Sequence, residues 1–386
     1  MLRLRSSHTR RHLDLMSIRV RSLDEFERAP SSVTVGLPPA AHRVAPASAE
    51  EMTELMAAAT DAGAVVVPWG GGTHQGLGNR VYPDVIASTA ALDRIVAWEP
   101  EDLTVVVEAG VTVDDLESEL AARSQTAAFL EVAPGATVGG VLSAGVSGYR
   151  RPRYGPTRDR ILQATVASGD GRLVTAGGRV VKNVSGYDIQ RTIFGAHGAL
   201  GVVTSVCLKL WPRSSTSATV TVEDPDTAWG LLYRPLAVLQ TEAGSFAYLE
   251  GPTAQVERDA ERLGGDRRDG LVWPSLPSGE VTAALTVPPA RVTDAVARVG
   301  AVGRYVAQHG VGRVDVAGGR GTDWAGLREW AQALGGRLTV TGAPDGFYDG
   351  FDPWGDDPPA LGVQRRLVAA FDPTRTINRG RLPGGL

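Results

Sequence analysis

The chain has 386 residues, a formal net charge of −4, 43% hydrophobic residues and a single cysteine. The slight acidity argues against general nucleic-acid binding, which usually needs a basic face. One cysteine forms no intrachain disulfide and offers no CxxC metal spacing, which suits a reducing cytoplasm. No apolar run reaches the ~20 residues of a membrane span, so we predict a cytoplasmic protein. The chain length is enough for two domains.

The amino-terminal part begins with a basic tail over residues 1–27, which lacks the apolar stretch of a secretory signal. Ser48 and Glu51 form a capping-box pattern, which predicts a helix that ends at Gly63. A short strand then runs into PWGGGTHQGLGN at 68–79. Consecutive backbone N–H groups of such a loop can converge on an anion, although a plain glycine-rich turn is the alternative.

Two strands and a second helix follow this loop. The strands are predicted at 94–98 and 103–109, and Thr112 is a suitable N-cap for the helix VDDLESELAAR. Helix, strands and helix in this order favour an α+β domain over the strict β-α-β alternation of a Rossmann unit. No GxGxxG sequence occurs in the chain, which weakens an NAD-binding interpretation.

The stretch from Ala133 to Pro212 has glycines at short, uneven intervals between valine- and leucine-rich segments. We interpret it as strands and tight turns folded around a large flat ligand. Segments 161–168 and 172–176 flank Gly169-Asp170-Gly171. The Asp-Gly pair predicts a type I′ hairpin.

Several segments occur in the order and spacing of the vanillyl-alcohol-oxidase type of FAD-binding domain, also called the PCMH fold. They are PWGGGTH, APGATVGG, RYGPTRD, SGDGRLV, GGRVVKNVSGYD and GAHGALGVVT, and FDPTRTINRGRLPG resembles the closing motif of the family. Each match is weak alone, but the joint match is specific. The GGRVVKNVSGYD segment is most similar to the FAD-binding E subunits of bacterial glycolate oxidases.

This resemblance implies an α+β protein with a PCMH-type FAD-binding domain of two subdomains over 28–212. A cap domain for substrate or partner follows over 213–360, and the segment 361–386 returns to the FAD domain. Five strand patterns and four helix patterns make the cap ferredoxin-like, and we see no internal repeat. The strands are predicted at 216–222, 245–250, 281–287, 312–316 and 337–341, and the helices at 227–236, 255–263, 291–309 and 324–334.

By this resemblance, the family's FAD contacts correspond to five parts of this chain. These are two pyrophosphate segments, a region beside the ribityl chain and flavin, the entry to a strand and a closing asparagine. In that order they are Gly70, Gly71, Gly72, Thr73, His74, Pro134, Gly135, Ala136, Thr137, Gly139, Gly140, Ala144, Gly145, Gly148, Gly155, Arg158, Gly198, Gly201, Val202, Val203 and Asn378. Covalent relatives bond the flavin through a first-loop histidine, but Thr73 occupies that position and His74 lies one residue late. Since a one-residue slip directs a loop side chain elsewhere, we expect noncovalent FAD.

Oxidation of a 2-hydroxy acid needs a cation for the carboxylate and a base for the hydroxyl proton. The cap has one histidine, His309, which near a predicted helix end is interpreted as a capping or surface residue. The metal-binding histidine motif of related D-2-hydroxyacid dehydrogenases is missing, and His197 is interpreted as a polar loop residue. No catalytic base or metal site is therefore assigned.

One long loop of the cap stays open to two interpretations. Segment 343–359 contains Phe347, Tyr348, Phe351 and Trp354. Long loops are often functional, so these aromatic side chains either line a surface for substrate or partner or simply anchor the loop.

The family resemblance implies a subunit that moves electrons from a small 2-hydroxy acid through noncovalent FAD. Its partners would be a second flavoprotein and an iron–sulfur subunit, which would also provide any membrane association. A stand-alone FAD-linked oxidase or dehydrogenase of another hydroxylated molecule is the alternative, followed by a non-catalytic flavin-binding assembly subunit. A UDP-acetylenolpyruvoylglucosamine-reductase-like enzyme shares the flavin fold, but the closing motif and the GGRVVKNVSGYD segment argue against it.

Overall fold

A computed structural model describes residues 22–26, 42–129, 132–180 and 187–386. Most of the predicted amino-terminal tail lies outside these ranges, as does the 181–186 part of the GGRVVKNVSGYD segment. The described residues form helices and four sheets. The α+β class predicted from the sequence is confirmed.

The first subdomain is a small parallel sheet with one helix packed on it. Its elements are β1 (His42–Val44), α1 (Ala49–Asp61), β2 (Val66–Trp69) and β3 (Val85–Ser88). The strand order is β1–β3–β2. The helix begins as predicted, because the Ser48 hydroxyl accepts the N–H of Glu51 at 3.1 Å, and it ends before Gly63, which has a positive φ of 66°. The buried face of the helix, which includes Met52 and Leu55, covers the sheet.

The second subdomain is a five-stranded antiparallel sheet of order β4–β5–β9–β7–β8. Its elements and the short pieces beside it are β4 (Ile95–Glu99), β5 (Thr104–Glu108), α2 (Val113–Ala121), β6 (Gln125–Thr126), α3 (Val138–Ala144), α4 (Arg151–Tyr154), β7 (Ile161–Ala167), β8 (Leu173–Gly177), β9 (Val202–Lys209) and β10 (Trp211–Pro212). The predicted N-cap is confirmed, since the Thr112 hydroxyl accepts the N–H of Asp115 at 3.0 Å. The apolar faces of β5, β9, α2 and α3 form one buried core.

The hairpin between β7 and β8 is confirmed, but the predicted turn type is wrong. A type I′ turn needs positive φ at both central residues, and here Gly171 has a positive φ whereas Asp170 does not. The loop is one residue longer: Ser168 N–H donates to the Arg172 carbonyl at 2.9 Å. The Ser168 hydroxyl accepts the N–H of Arg172 at 3.1 Å, and this side-chain bond stabilises the longer turn.

The cap is one eight-stranded antiparallel sheet with helices packed against it. Its elements are β11 (Thr216–Val222), α5 (Pro225–Leu231), β12 (Ala237–Thr241), β13 (Gly244–Gly251), α6 (Thr253–Leu263), β14 (Arg267–Asp269), β15 (Val281–Thr286), α7 (Val292–Val299), β16 (Arg304–Gln308), β17 (Arg313–Gly318), α8 (Trp324–Ala333) and β18 (Arg337–Gly342). All five predicted strands are present. Three further strands, β12, β14 and β16, were not predicted.

The cap contains an internal duplication that the sequence did not reveal. The strand order β14–β11–β13–β12–β16–β17–β15–β18 divides into two β-α-β-β-α-β units of ferredoxin-like topology. The units join through the antiparallel pairing of β12 with β16. The predicted helix over 291–309 is confirmed only in its first half: α7 spans Val292–Val299, and the rest of the range contains β16, the second strand of the second unit.

The last helix and the segment after it connect back to the first subdomain. Helix α9 spans Leu361–Phe371. The Asp372 carboxylate accepts the N–H groups of Thr376 and Ile377 at 2.9 and 2.7 Å, and this turn directs Ile377 into a parallel bridge with Val66 of β2.

Short 3-10 helices complete the described elements, at Leu23–Glu25, Thr157–Arg160, Ile189–Ile193, Pro289–Arg291, Asp345–Phe347 and Pro383–Gly385. Within the part of the chain that the structure describes, no helix combines the length and apolarity that a bilayer crossing requires.

The aromatic residues of segment 343–359 anchor the loop on both sides. Phe347 and Phe351 pack against the core of the second cap unit. The Tyr348 hydroxyl donates to the Gly76 carbonyl at 3.1 Å, and the Trp354 indole N–H donates to the Arg381 carbonyl at 2.8 Å. The anchoring interpretation is confirmed, and the loop ties the cap to the first glycine loop.

A buried ion pair also joins the cap to the segment that follows α3. Arg150 Nη1 lies 3.0 Å from Glu250 Oε2 on β13, and their side chains are only 8% and 7% exposed. Glu250 also accepts hydrogen bonds from the hydroxyls of Tyr154 and Ser214. Burial, followed by the Glu250 carboxylate, raises the pKa of Tyr154 to about 12, so this phenol stays a hydrogen-bond donor at neutral pH.

Candidate functional site

One groove collects many of the residues that the sequence assigns to FAD. It lies where the chain leaves β2, passes α3 and enters β9, and it contains about 620 Å³ of empty space including its open mouth. The predicted residues in its walls are Gly70, Gly71, Gly72, Thr73, His74, Gly139, Gly140, Ala144, Gly198, Val202, Val203 and Asn378.

Two glycines of the first loop pack directly against the second segment. A β-carbon added at Gly71 would overlap the Gly135 carbonyl oxygen, and one at Gly70 would overlap the Thr137 hydroxyl. Neither neighbour can yield, because one is backbone and the other caps α3 by accepting the N–H of Gly140 at 3.2 Å. The two segments therefore meet only because glycine lacks a side chain.

The carboxyl-terminal segment forms another wall of the groove. Asn378 N–H donates to the Val66 carbonyl at 2.8 Å, and its side-chain amide donates to the carbonyl of His197. Asn378 has a positive φ of 46°, which asparagine tolerates better than most residues. It therefore links β2 to the loop before β9.

Two histidines line the groove, and both are neutral at pH 7. Burial, followed by the positive charge of Arg381, lowers the pKa of His197 to about 4. Burial and the charge of Arg313 lower the pKa of His74. His197 lies in a loop, as expected, but its ring is enclosed rather than solvated: Trp354 packs edge-on against it, with centroids 5.4 Å apart.

His74 also departs from the sequence-based expectation. Its ring lies in the groove wall beside Thr73, with Nδ1 at 2.8 Å from the Thr73 hydroxyl. The one-residue slip does not direct this side chain away from the groove, because Thr73 and His74 turn toward the same space. The noncovalent state of FAD stays a prediction.

The buried His197 should make the ligand-free protein less stable in acid. The unfolded chain takes up a proton near pH 6.5, whereas the folded chain resists protonation until about pH 4. Lowering the pH through this window therefore favours unfolding, by about 3 kcal/mol at its acid end. His197→Asn, which suits the positive φ of 49° at this position, should remove that much pH dependence from urea-unfolding curves. Identical pH dependence in both proteins would contradict the assignment.

A second cavity adjoins the groove and extends toward the cap. Ala144 lines the groove, and the next residue, Gly145, lines the second cavity, which contains about 550 Å³ of empty space. Gly145 has a left-handed conformation, with φ 71° and ψ 28°, and ends α3. The chain turns there and brings Arg151 and Arg158 to the cavity from the FAD-binding fold.

The cap supplies the opposite side of the second cavity through Gln308 and Arg313. Arg313 Nη2 lies 2.6 Å from Asp315 Oδ1, and this carboxylate raises the pKa of Arg313. Arg158 has a distant acid partner, Asp159, at 3.6 Å. Three guanidinium groups against two carboxylates, Asp159 and Asp315, leave a net positive charge at the cavity, which suits a small anion.

The other predicted contacts lie outside the groove. Residues 134–137 form the segment packed behind the first loop, and Gly201 packs on Val166. Gly148 and Gly155 line neither cavity, and Arg158 lies in the second cavity rather than with the pyrophosphate loops. Gly148, Gly155 and Arg158 lie outside the groove because the chain turns at Gly145 and leaves it. The residues missed in the groove walls are Pro68, Trp69, Gln75, Thr89, Ala109, Ser143, His197 and Arg381.

The interpretation of His309 as a capping or surface residue is wrong. Its side chain is fully buried after β16, with Nδ1 2.8 Å from Asp226 Oδ1 and Nε2 3.0 Å from Gln240 Oε1. Both ring nitrogens are thus held by cap residues, away from the residues that line either cavity.

Comparison with known proteins agrees with this geometry. A family model described as an FAD binding domain matches residues 40–177. The chain is 28% identical over 314 residues to the glycolate oxidase subunit GlcE of Escherichia coli, which covers 75% of this chain and 84% of that subunit. It is 32% identical over 171 residues to the mitochondrial D-lactate dehydrogenase (cytochrome) of Arabidopsis thaliana, covering 43% of this chain and 30% of that enzyme.

A solved structure shows that the fold as a whole is shared. Alkyldihydroxyacetonephosphate synthase superposes with a TM-score of 0.60 at 14% identity, over 89% of this chain and 77% of that one. The chain therefore carries a PCMH-type FAD-binding domain over residues 40–177 and is an FAD-linked oxidoreductase related to glycolate oxidase subunits and D-lactate dehydrogenases.

Proposed function

We propose that this chain is the FAD-binding subunit of a glycolate-oxidase-like complex that oxidises a small 2-hydroxy acid at its CH–OH group. The observation that carries this proposal is the arginine-lined cavity that begins where the groove ends, at Gly145. The similarity to an E. coli glycolate oxidase subunit over 84% of that subunit's length supports the assignment to a subunit.

The backbone packing and the charge of the groove walls support FAD binding. Its first loop and second segment pack so closely that a β-carbon at Gly71 has no space. The first loop therefore consists of glycine backbone, whose N–H groups can face the dinucleotide. No acidic side chain lies in its described walls. Bound FAD would supply a hydride acceptor at flavin N5, and the groove's continuation into the second cavity supports a substrate position at the cap end.

The second cavity would orient the substrate through its carboxylate. Arg151 and Arg158 approach from the FAD-binding fold, and Arg313 approaches from the cap. A guanidinium group binds a carboxylate through two parallel hydrogen bonds, so these side chains can hold the acid group while the CH–OH carbon faces the groove.

The second cavity lacks a proton acceptor of its own. Its described lining consists of Gly145, Ser147, Arg151, Pro156, Arg158, Phe194, Gln308 and Arg313, and none of these side chains is a general base at neutral pH. Across the described ranges there is also no cluster of three His, Cys, Asp or Glu residues suited to a metal ion. Under this proposal a partner flavoprotein supplies the base and an iron–sulfur subunit receives the electrons. The alternative is a stand-alone FAD-linked dehydrogenase.

Anaerobic flavin bleaching separates these alternatives. We expect glycolate or D-lactate to bleach the FAD-loaded chain only when its partner subunits are present. Arg158→Gln should then raise the substrate concentration for half-maximal bleaching about tenfold, while Arg172→Gln, an exposed residue paired with Asp170, should not. Bleaching of the isolated chain would favour the stand-alone enzyme, and no bleaching in the complex would exclude these hydroxy acids.

The noncovalent state of FAD has a direct test. Precipitating the FAD-loaded protein with acid should release all of the yellow colour into the supernatant. The reason is that Thr73 occupies the position used by covalent relatives, and the His74 ring is hydrogen-bonded to the Thr73 hydroxyl. Colour that stays in the washed pellet would show a covalent bond, and His74→Ala would then identify its site.

A further inference from the structure

We infer that Arg381 is the residue that balances the negative charge of the FAD pyrophosphate. Arg381 is 6% exposed and lies in the wall of the groove. The inference rests on the proposed FAD site, and it assigns the electrostatic part of dinucleotide binding to the carboxyl-terminal segment rather than to the glycine loops.

The charge of Arg381 is not balanced by the protein in the described ranges. Its guanidinium donates to the Asn378 side-chain oxygen, to the carbonyls of Gln75 and Leu77, and to the Gln75 side-chain oxygen, at distances of 3.0 to 3.1 Å. All four acceptors are neutral, and no carboxylate pairs with this residue among the described ion pairs. A buried cation without a counter-ion is costly.

The rest of the groove wall is uncharged. Gly, Ala, Val, Thr, Ser, Gln, Asn, Pro and Trp residues make up most of it, and both histidines are neutral at pH 7. Arg381 is therefore the single charged side chain in the described lining. Burial lowers its pKa to about 10, which still leaves it protonated in the cell.

Hydrogen bonds within the protein also fix the position of Arg381 before any ligand binds. Two of its acceptors are carbonyls of the first glycine loop, and Asn378 is held by β2. Four hydrogen bonds occupy four of the five guanidinium N–H groups. One Nη2 N–H is left for a ligand, so the side chain presents one donor and a full positive charge beside the loop where a pyrophosphate would lie.

The test measures FAD affinity of the full-length apoprotein by quenching of flavin fluorescence. Arg381→Gln keeps hydrogen-bonding capacity without the charge and should weaken FAD binding about 30-fold. Arg381→Lys keeps the charge and should weaken it less than fivefold. Arg379→Gln, an exposed residue two positions away, is the matched control and should bind FAD like the wild type.

Inorganic pyrophosphate gives a second measurement that needs no variant. It should compete with FAD for the wild-type apoprotein at millimolar concentration, and the Arg381→Gln protein should lose this competition. Equal FAD affinity of Arg381→Gln and the wild type, equal losses for the Gln and Lys variants, or no competition by pyrophosphate would each overturn the inference. If the wild type takes up no FAD at all, the proposed function fails instead.

Discussion

Replacing Gly71 by alanine is expected to abolish FAD retention in a protein that still folds. The added methyl group would meet the backbone carbonyl of Gly135, so the first loop and the second segment would have to separate. Such overpacking costs about 3 kcal/mol, which is a loss of about 100-fold if it falls on the binding-competent arrangement of the groove. The FAD content after desalting and the dissociation constant for added FAD measure the effect.

The matched control is Gly230→Ala. Gly230 lies in α5, and a β-carbon added there meets no atom within 4 Å. This variant should bind FAD normally and be slightly more stable, because alanine favours a helix over glycine by about 1 kcal/mol. Normal FAD binding by Gly71→Ala would show that the contact between the two loops is not needed for the cofactor.

The second large effect is expected at the junction of the cap and the FAD-binding fold. Glu250→Gln removes the carboxylate that lies 3.0 Å from the buried Arg150 guanidinium in the native protein. Breaking a buried pair by neutralising one partner costs about 3 to 5 kcal/mol, far more than the change in side-chain volume. Urea unfolding should show this loss, and the two domains should become easier to separate by limited proteolysis.

An exposed pair in the same cap provides the comparison. Glu280 lies 3.8 Å from Arg320, and their side chains are 62% and 55% exposed. Glu280→Gln should change the free energy of unfolding by less than about 1 kcal/mol, since solvent screens such pairs. If the two variants lose the same stability, the Arg150–Glu250 contact does not hold the domains together.

Local sequence signals predicted those elements whose physics is local. The cap at Ser48, the cap at Thr112 and the stop at Gly63 each depend on bonds or backbone angles within a few residues. These helix ends could therefore be predicted without knowledge of the fold. The same approach failed in the second half of 291–309, where helix-forming residues lie in a strand because β16 completes the second cap unit and pairs with β12 and β17.

The glycine pattern likewise identified the groove but not its charge. Gly70 to Gly72 and Gly139 to Gly140 are conspicuous in sequence because close backbone contact requires glycine. Arg381 and His197 carry no such signal, since a loop arginine or histidine is usually solvated. The pairing of Ile377 with Val66 brings Arg381 under the first loop, and Trp354 packs edge-on against the His197 ring.

By itself the sequence determined the glycine segments that approach each other and the general α+β architecture, because these depend on residue type and local spacing, and its family resemblance implied the cofactor class. The tertiary structure decided the duplicated cap, the burial of Arg150, His309 and Arg381, and the division into two cavities at Gly145. These features depend on contacts between segments that are far apart in the sequence. Such contacts, rather than the residues adjacent in the chain, determine the burial and the charge of a site.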